Sequence, residues 1–168
     1  MNAIEVIVSS FRDVQIALRE DIAVVDDDLF WWQPATDLNH IGFLFWHVVR
    51  DEDTVTSYVA GEPEAWAADG WHARFRMDPK EQGTGLDPAR IAAFRYDRAL
   101  FMDYAEAVWA RTPDLLSRLT ESDLDRQAWP GSEWNLTQQL VEGSIGHGWV
   151  HLGEIRAIKG LRGWRFRE

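Results

Sequence analysis

The chain has 168 residues, with 17 lysines and arginines against 28 aspartates and glutamates, a formal net charge of −11. That length suits a single domain, taken as residues 1–168, whose core needs no disulfide or metal staple. The acidic balance argues against nucleic acid or an anionic membrane as partner, since both need a basic face, and the lack of cysteine excludes a disulfide framework, a thiolate metal site and a cysteine nucleophile.

The opening stretch carries Glu5, Arg12 and Asp13 among its apolar residues, so it does not read as a signal peptide, and no later run approaches a membrane span. A soluble, cytoplasmic protein is expected. Apolar residues at Ile4, Val8, Phe11, Leu18, Ile22, Val25 and Leu29 predict a long amphipathic first helix, interrupted at Gln15. Asp26, Asp27 and Asp28 then read as a solvated turn in preference to a cation site, and Pro34 forbids continuation.

A second helix is predicted over residues 40–60, capped by Asp37 or Asn39 and stopped by Gly61 and Pro63. Residues 61–88 hold Trp66, Trp71, His72 and Phe75 among clustered glycines and prolines. A connection this long and aromatic reads as a folded flap. Asp87-Pro88 starts a third helix with a stripe through Ile91, Phe94, Phe101, Val108, Leu115 and Leu119, kinked at Thr112-Pro113. Asn135 caps a fourth helix over residues 136–159. Four long helices without strand patterning predict an all-α, antiparallel four-helix bundle with a long aromatic-rich connection between helices 2 and 3.

On the fourth helix the inward stripe passes through Leu140, Ser144, His147, His151, Glu154 or Ile155, and Ile158. Two histidines thus stand where leucine would pack, and an unsatisfied polar group there costs about 1–3 kcal/mol. Four residues apart, both imidazoles reach one ion. His47 on the second helix is the best third ligand, because it edges the apolar stripe beside Leu44 and Asp51. Three imidazoles leave coordination positions open, as in catalytic zinc sites, and suit zinc, nickel, iron or manganese alike. The pair is not a zincin motif, since Gly148 follows the first histidine and no glutamate stands there as base.

The other candidates carry less. His40 reads as a surface or cap residue and His72 as a solvated loop residue. Asp51 either orients a ligand, coordinates directly or is a surface carboxylate. Trp46 and Trp149 either pack between helices or wall a pocket.

The segments NHIGFLFWHVVRDEDT (39–54), GEPEAW with DGWHARF, and SIGHGWVHLGEIRAIKGLRG (144–163) resemble the DinB-like superfamily. The resemblance implies a four-helix bundle, often a homodimer, with a metal held by His47, His147 and His151. Some members are similar to transferases or isomerases that use a low-molecular-weight thiol such as mycothiol or bacillithiol. The expected function is therefore a metal-dependent enzyme that transfers such a thiol to an electrophilic small molecule, with residues 66–75 as a wall of the site. The alternatives are a hydrolase using metal-activated water and a non-catalytic metal-binding domain.

Overall fold

The computed structural model describes residues 2–164. Helix α1 (Ala3–Ala23) begins at a capping box in which the Asn2 side chain accepts from the Glu5 amide and the Glu5 carboxylate accepts from the Asn2 amide. It buries Ile4, Ile7, Phe11, Val14, Leu18 and Ile22 at 3-4 spacing. Sequence reasoning carries this helix to Leu29, but it ends at Ala23 and a short helix, α2 (Asp27–Phe30), follows. The cause is Asp26, whose carboxylate accepts from the Leu29 amide at 2.8 Å, while Asp27 and Asp28 occupy the first turn, where the helix dipole favours acids. The aspartate triplet is solvent-exposed as expected, but it starts a helix where a turn was expected.

Helix α3 (Ile41–Ala60) is capped by His40, where Asp37 or Asn39 was expected, and ends at Gly61 with φ +71°. The His40 ring is fully buried: Nδ1 accepts from the Phe43 amide at 3.0 Å and Nε2 donates to the Ile91 carbonyl at 2.9 Å. It is a cap and not a surface residue. Burial lowers its pKa to about 4, because a buried imidazolium loses hydration and the cap needs a lone pair on Nδ1. The unfolded chain therefore binds this proton first. The contribution of His40 to stability is complete above about pH 6.5 and is lost as pH falls from 6.5 toward about 4. Glu52, which burial pushes up to about 7, opposes this trend in an overlapping range, so the contrast must be taken between wild type and His40→Asn. Urea denaturation across pH 4–7 is expected to show the Asn variant losing less stability on acidification.

Residues 61–88 fold onto the core. The Asp53 carboxylate, on α3, accepts from the Ala65 and Trp66 amides at 2.9 and 2.8 Å and so starts α4 (Ala65–Ala68). Helix α5 (Trp71–Arg74) follows, and Trp66, Trp71 and Phe75 are all buried. Helix α6 (Pro88–Ala93) begins at Asp87, and α7 (Arg98–Ser117) at Asp97. The predicted third helix is thus broken at 94–97 and not at Thr112-Pro113, which lies inside α7. The break lets Phe94 and Tyr96 turn onto Phe75 and Phe101, with ring centroids 5.1–6.1 Å apart.

A 3₁₀ turn (Glu121–Asp125) leads to the last helical run. Asn135 caps α8 (Leu136–Gln138), the backbone widens into a π-helical stretch (Gln139–Gly146), and α9 (His147–Leu161) continues without a break in helical dihedrals. Helix α3 packs against α7 and α9, and α1 packs against the same two, so the four long helices enclose one core. The molecule is all-helical. Among the described residues only a single bridge, Gln127 to Asn135, has strand-like pairing, and no helix is long and apolar enough to cross a membrane.

Candidate metal centre

The π-helical stretch sets the register of α9. From residue 144 on, the buried residues are Ser144, Ile145, Gly148, Leu152, Ile155, Ile158 and Lys159, so the expected positions 144, 155 and 158 do face the core, whereas His147 and His151 lie partly buried at its rim. Gly148 allows this: a Cβ there would stand 2.9 Å from Val14 Cγ1, so α9 approaches α1 at van der Waals distance. From α3, His47 faces the pair. Its ring centroid lies 5.0 Å from that of His147 and 5.3 Å from that of His151, and the latter two are 4.3 Å apart.

One nitrogen from each ring lies within 4.8 Å of the other two, so His47, His147 and His151 could hold a metal ion. The hydrogen bonds decide which nitrogens are available. The Gln82 carbonyl can only accept, so His47 Nδ1, 2.7 Å away, is the protonated nitrogen and Nε2 keeps its lone pair. The Glu154 carboxylate does the same for His151, with Nδ1 at 2.7 Å. His147 Nε2 then meets His151 Nε2 at 2.8 Å, while His147 Nδ1 is buried without a hydrogen-bond partner. The Asp51 carboxylate stands 3.8 Å from that orphaned nitrogen and is itself held by the Ser144 hydroxyl at 2.5 Å.

This donor set fits a divalent ion. Two of the three rings, His47 and His151, have a carbonyl or carboxylate behind them, the arrangement that fixes tautomer and raises ligand basicity around metals. Burial lowers the His147 pKa to about 4, with His151 adding repulsion, and burial likewise lowers that of His47. Neutral imidazoles, the ligating form, are thus favoured at neutral pH. Burial raises the pKa of Asp51, against the opposing pull of Ser144 and the imidazoles.

Of the remaining sequence candidates, His40 is the cap described above, and His72 is half-buried with Nδ1 on the Trp66 carbonyl at 3.1 Å, outside the cluster. Trp46 is fully buried, whereas Trp149 is 42% exposed. The wall expected from residues 66–75 is not at the histidines, because Trp66 and Phe75 face Tyr104 in the core. The segment that does reach the site is Gln82-Gly83, which sequence reasoning missed. A Cβ on Gly83, which has φ +83°, would lie 3.0 Å from His47 Nδ1 and 2.8 Å from Trp46 Cζ3. Only glycine lets the backbone lie this close over the ring.

Gly83→Ala is therefore expected to weaken metal binding about 10–100-fold by tilting His47 off its carbonyl. Gly85→Ala carries a similar positive φ but meets nothing within 4 Å, so it serves as the control for backbone strain. Equal zinc affinities for the two variants in a competitive chelator titration would refute this.

The fold and site together define an all-helical protein with three imidazoles gathered from two helices. Residues 11–155 match the sequence pattern of the DinB superfamily, and the chain belongs to that superfamily. It is similar in fold to a conserved protein from Enterococcus faecalis, whose crystal structure matches with a TM-score of 0.82 over 96% of this chain and 97% of that one, at 20% identity. No curated protein matches the chain.

Proposed function

We propose that this protein is a divalent-metal-dependent enzyme of one antiparallel four-helix-bundle domain, acting in the cytoplasm as a homodimer and transferring a low-molecular-weight thiol to a small electrophile. The observation that carries the metal reading is the set of three converging imidazoles, two of them with Nδ1 already committed to an acceptor. His47, His147 and His151 are the ligands, and zinc, nickel, iron and manganese all accept such a set. When bound, the ion lowers the pKa of a coordinated thiol or water and so supplies a nucleophile that this cysteine-free chain lacks. Gln82 and Glu154 hold two rings in orientation, and Asp51 is placed to orient His147.

One feature favours metal-assisted hydrolysis as a second reading. Asp51 is a half-buried carboxylate with a raised pKa beside the cluster, suited to take a proton from water. Cobalt substitution separates the two, because its absorption bands respond to sulfur ligation. Added mycothiol, bacillithiol or glutathione is expected to change the spectrum at millimolar concentration, more strongly as pH rises through the thiol's range. No change with any of the three would overturn thiol transfer and leave the hydrolytic reading. The homodimer reading is supported by Trp129, Trp134, Trp149 and Trp164, each about 40% exposed. Sedimentation as a monomer at micromolar concentration would remove it.

A further inference from the structure

One helical turn from the imidazoles, the start of α3 and the end of α9 diverge beneath residues 34–39 and leave a cavity of about 230 Å³. Leu38, Leu44, Ile158 and Leu161 supply apolar walls, and the charged residues that line it are Asp37 and Glu154, both acidic. Among the described residues Asp37 makes no ion pair, and Glu154 uses only Oε2, on His151 Nδ1, leaving Oε1 free. A largely apolar cavity edged by two carboxylates that pair with no lysine or arginine among the described residues is complementary to an apolar body with a positive head. The volume lies just below the usual range for drug-sized ligands, so the occupant is of fragment size.

We propose that this groove binds a small organic cation whose apolar body lies between Leu44 and Ile158 and whose positive head is held by Glu154 and Asp37. Leu44 stands one turn before His47 and Glu154 three residues beyond His151, so the bound molecule lies against the metal centre's supporting carboxylate. Its role as substrate rests on the metal-dependent reading above, whereas the binding itself does not. The same charges select against anionic molecules, for which two carboxylates and a net charge of −11 are repulsive.

The test uses ligands that do not compete as strong metal donors. In calorimetric titration, benzyltrimethylammonium is expected to bind at least about tenfold more tightly than benzenesulfonate, a sign preference set by the carboxylate pair. Ala157 lines the groove from an exposed helix position, so Ala157→Phe fills the space without disturbing the core and is expected to abolish binding while metal stoichiometry stays at wild-type level. Glu154→Gln, which keeps an acceptor for His151, is expected to weaken the cation about threefold. Equal affinity for cation and anion, or undiminished binding in Ala157→Phe, would overturn the proposal. Wild-type protein that binds the cation but no metal would sustain the groove and overturn the metal centre, and the reverse result would do the opposite.

Discussion

Replacing His47, His147 and His151 together by alanine is expected to lower bound metal from one ion per chain to a trace, measured by elemental analysis of untagged protein. With one ligand gone the two remaining imidazoles still bind, but far more weakly, so the single variants fall between. A thermal readout is independent of metal analysis. Zinc at a hundred times its dissociation constant stabilises a native state by about 2.7 kcal/mol, so wild-type Tm rises on zinc addition and that of the triple variant does not. Stoichiometric metal in the triple variant would sink the assignment.

The largest stability effect is expected at Arg50, whose guanidinium is fully buried in α3. It donates to Asp53 Oδ2 at 3.3 Å, the Tyr104 hydroxyl at 3.2 Å, Glu64 Oε2 at 2.9 Å and the Glu81 carbonyl at 3.1 Å. Asp53 in turn accepts from Tyr104 at 2.9 Å and from the two amides that begin α4. Arg50→Ala leaves the buried Asp53 carboxylate with only the more distant Arg111, 3.9 Å away, as its cation, which costs about 3–5 kcal/mol and lowers Tm by roughly 10 °C. Because the Glu81 carbonyl is the residue next to Gln82, the same change loosens the strap over His47. A variant with unaltered Tm would show that this network contributes little.

The three metal candidates were legible in the sequence because histidines four apart on a helix face have a geometric consequence that survives small errors of register. His47 was legible as the polar residue beside an otherwise apolar stripe. Other features left no trace of that kind. The Gln82 carbonyl is backbone chemistry, carried by no side-chain type, and only the two glycines around Thr84 hint at a close approach. Arg50, Glu52 and Asp53 sit in a run of charges that pattern reasoning assigns to solvent, yet all three are buried, because each finds partners on α1, α7 or the connection after α3. Gln15, the apparent break in the first stripe, is one of those partners, donating to Glu52 at 2.6 Å. The end of α1 was misjudged for the reverse reason, since Val25 and Leu29 do face the core but from different elements.

The π-helical stretch at Gln139–Gly146 has a consequence for the angular phase of the last helix. A wide turn takes up one more residue than an α-turn, so everything after it is rotated relative to everything before. Within the stretch, the helix meets α3 through the bond from Ser144 to Asp51; downstream, it presents both imidazoles to His47. Relaxation of the same eight residues to ordinary α spacing would swing His147 and His151 about the axis by roughly 100° relative to the preceding turns. The chain would keep every ligand and lose their convergence. The site is thus encoded as much in a count of residues as in their identity, and substitutions alone would not restore the phase.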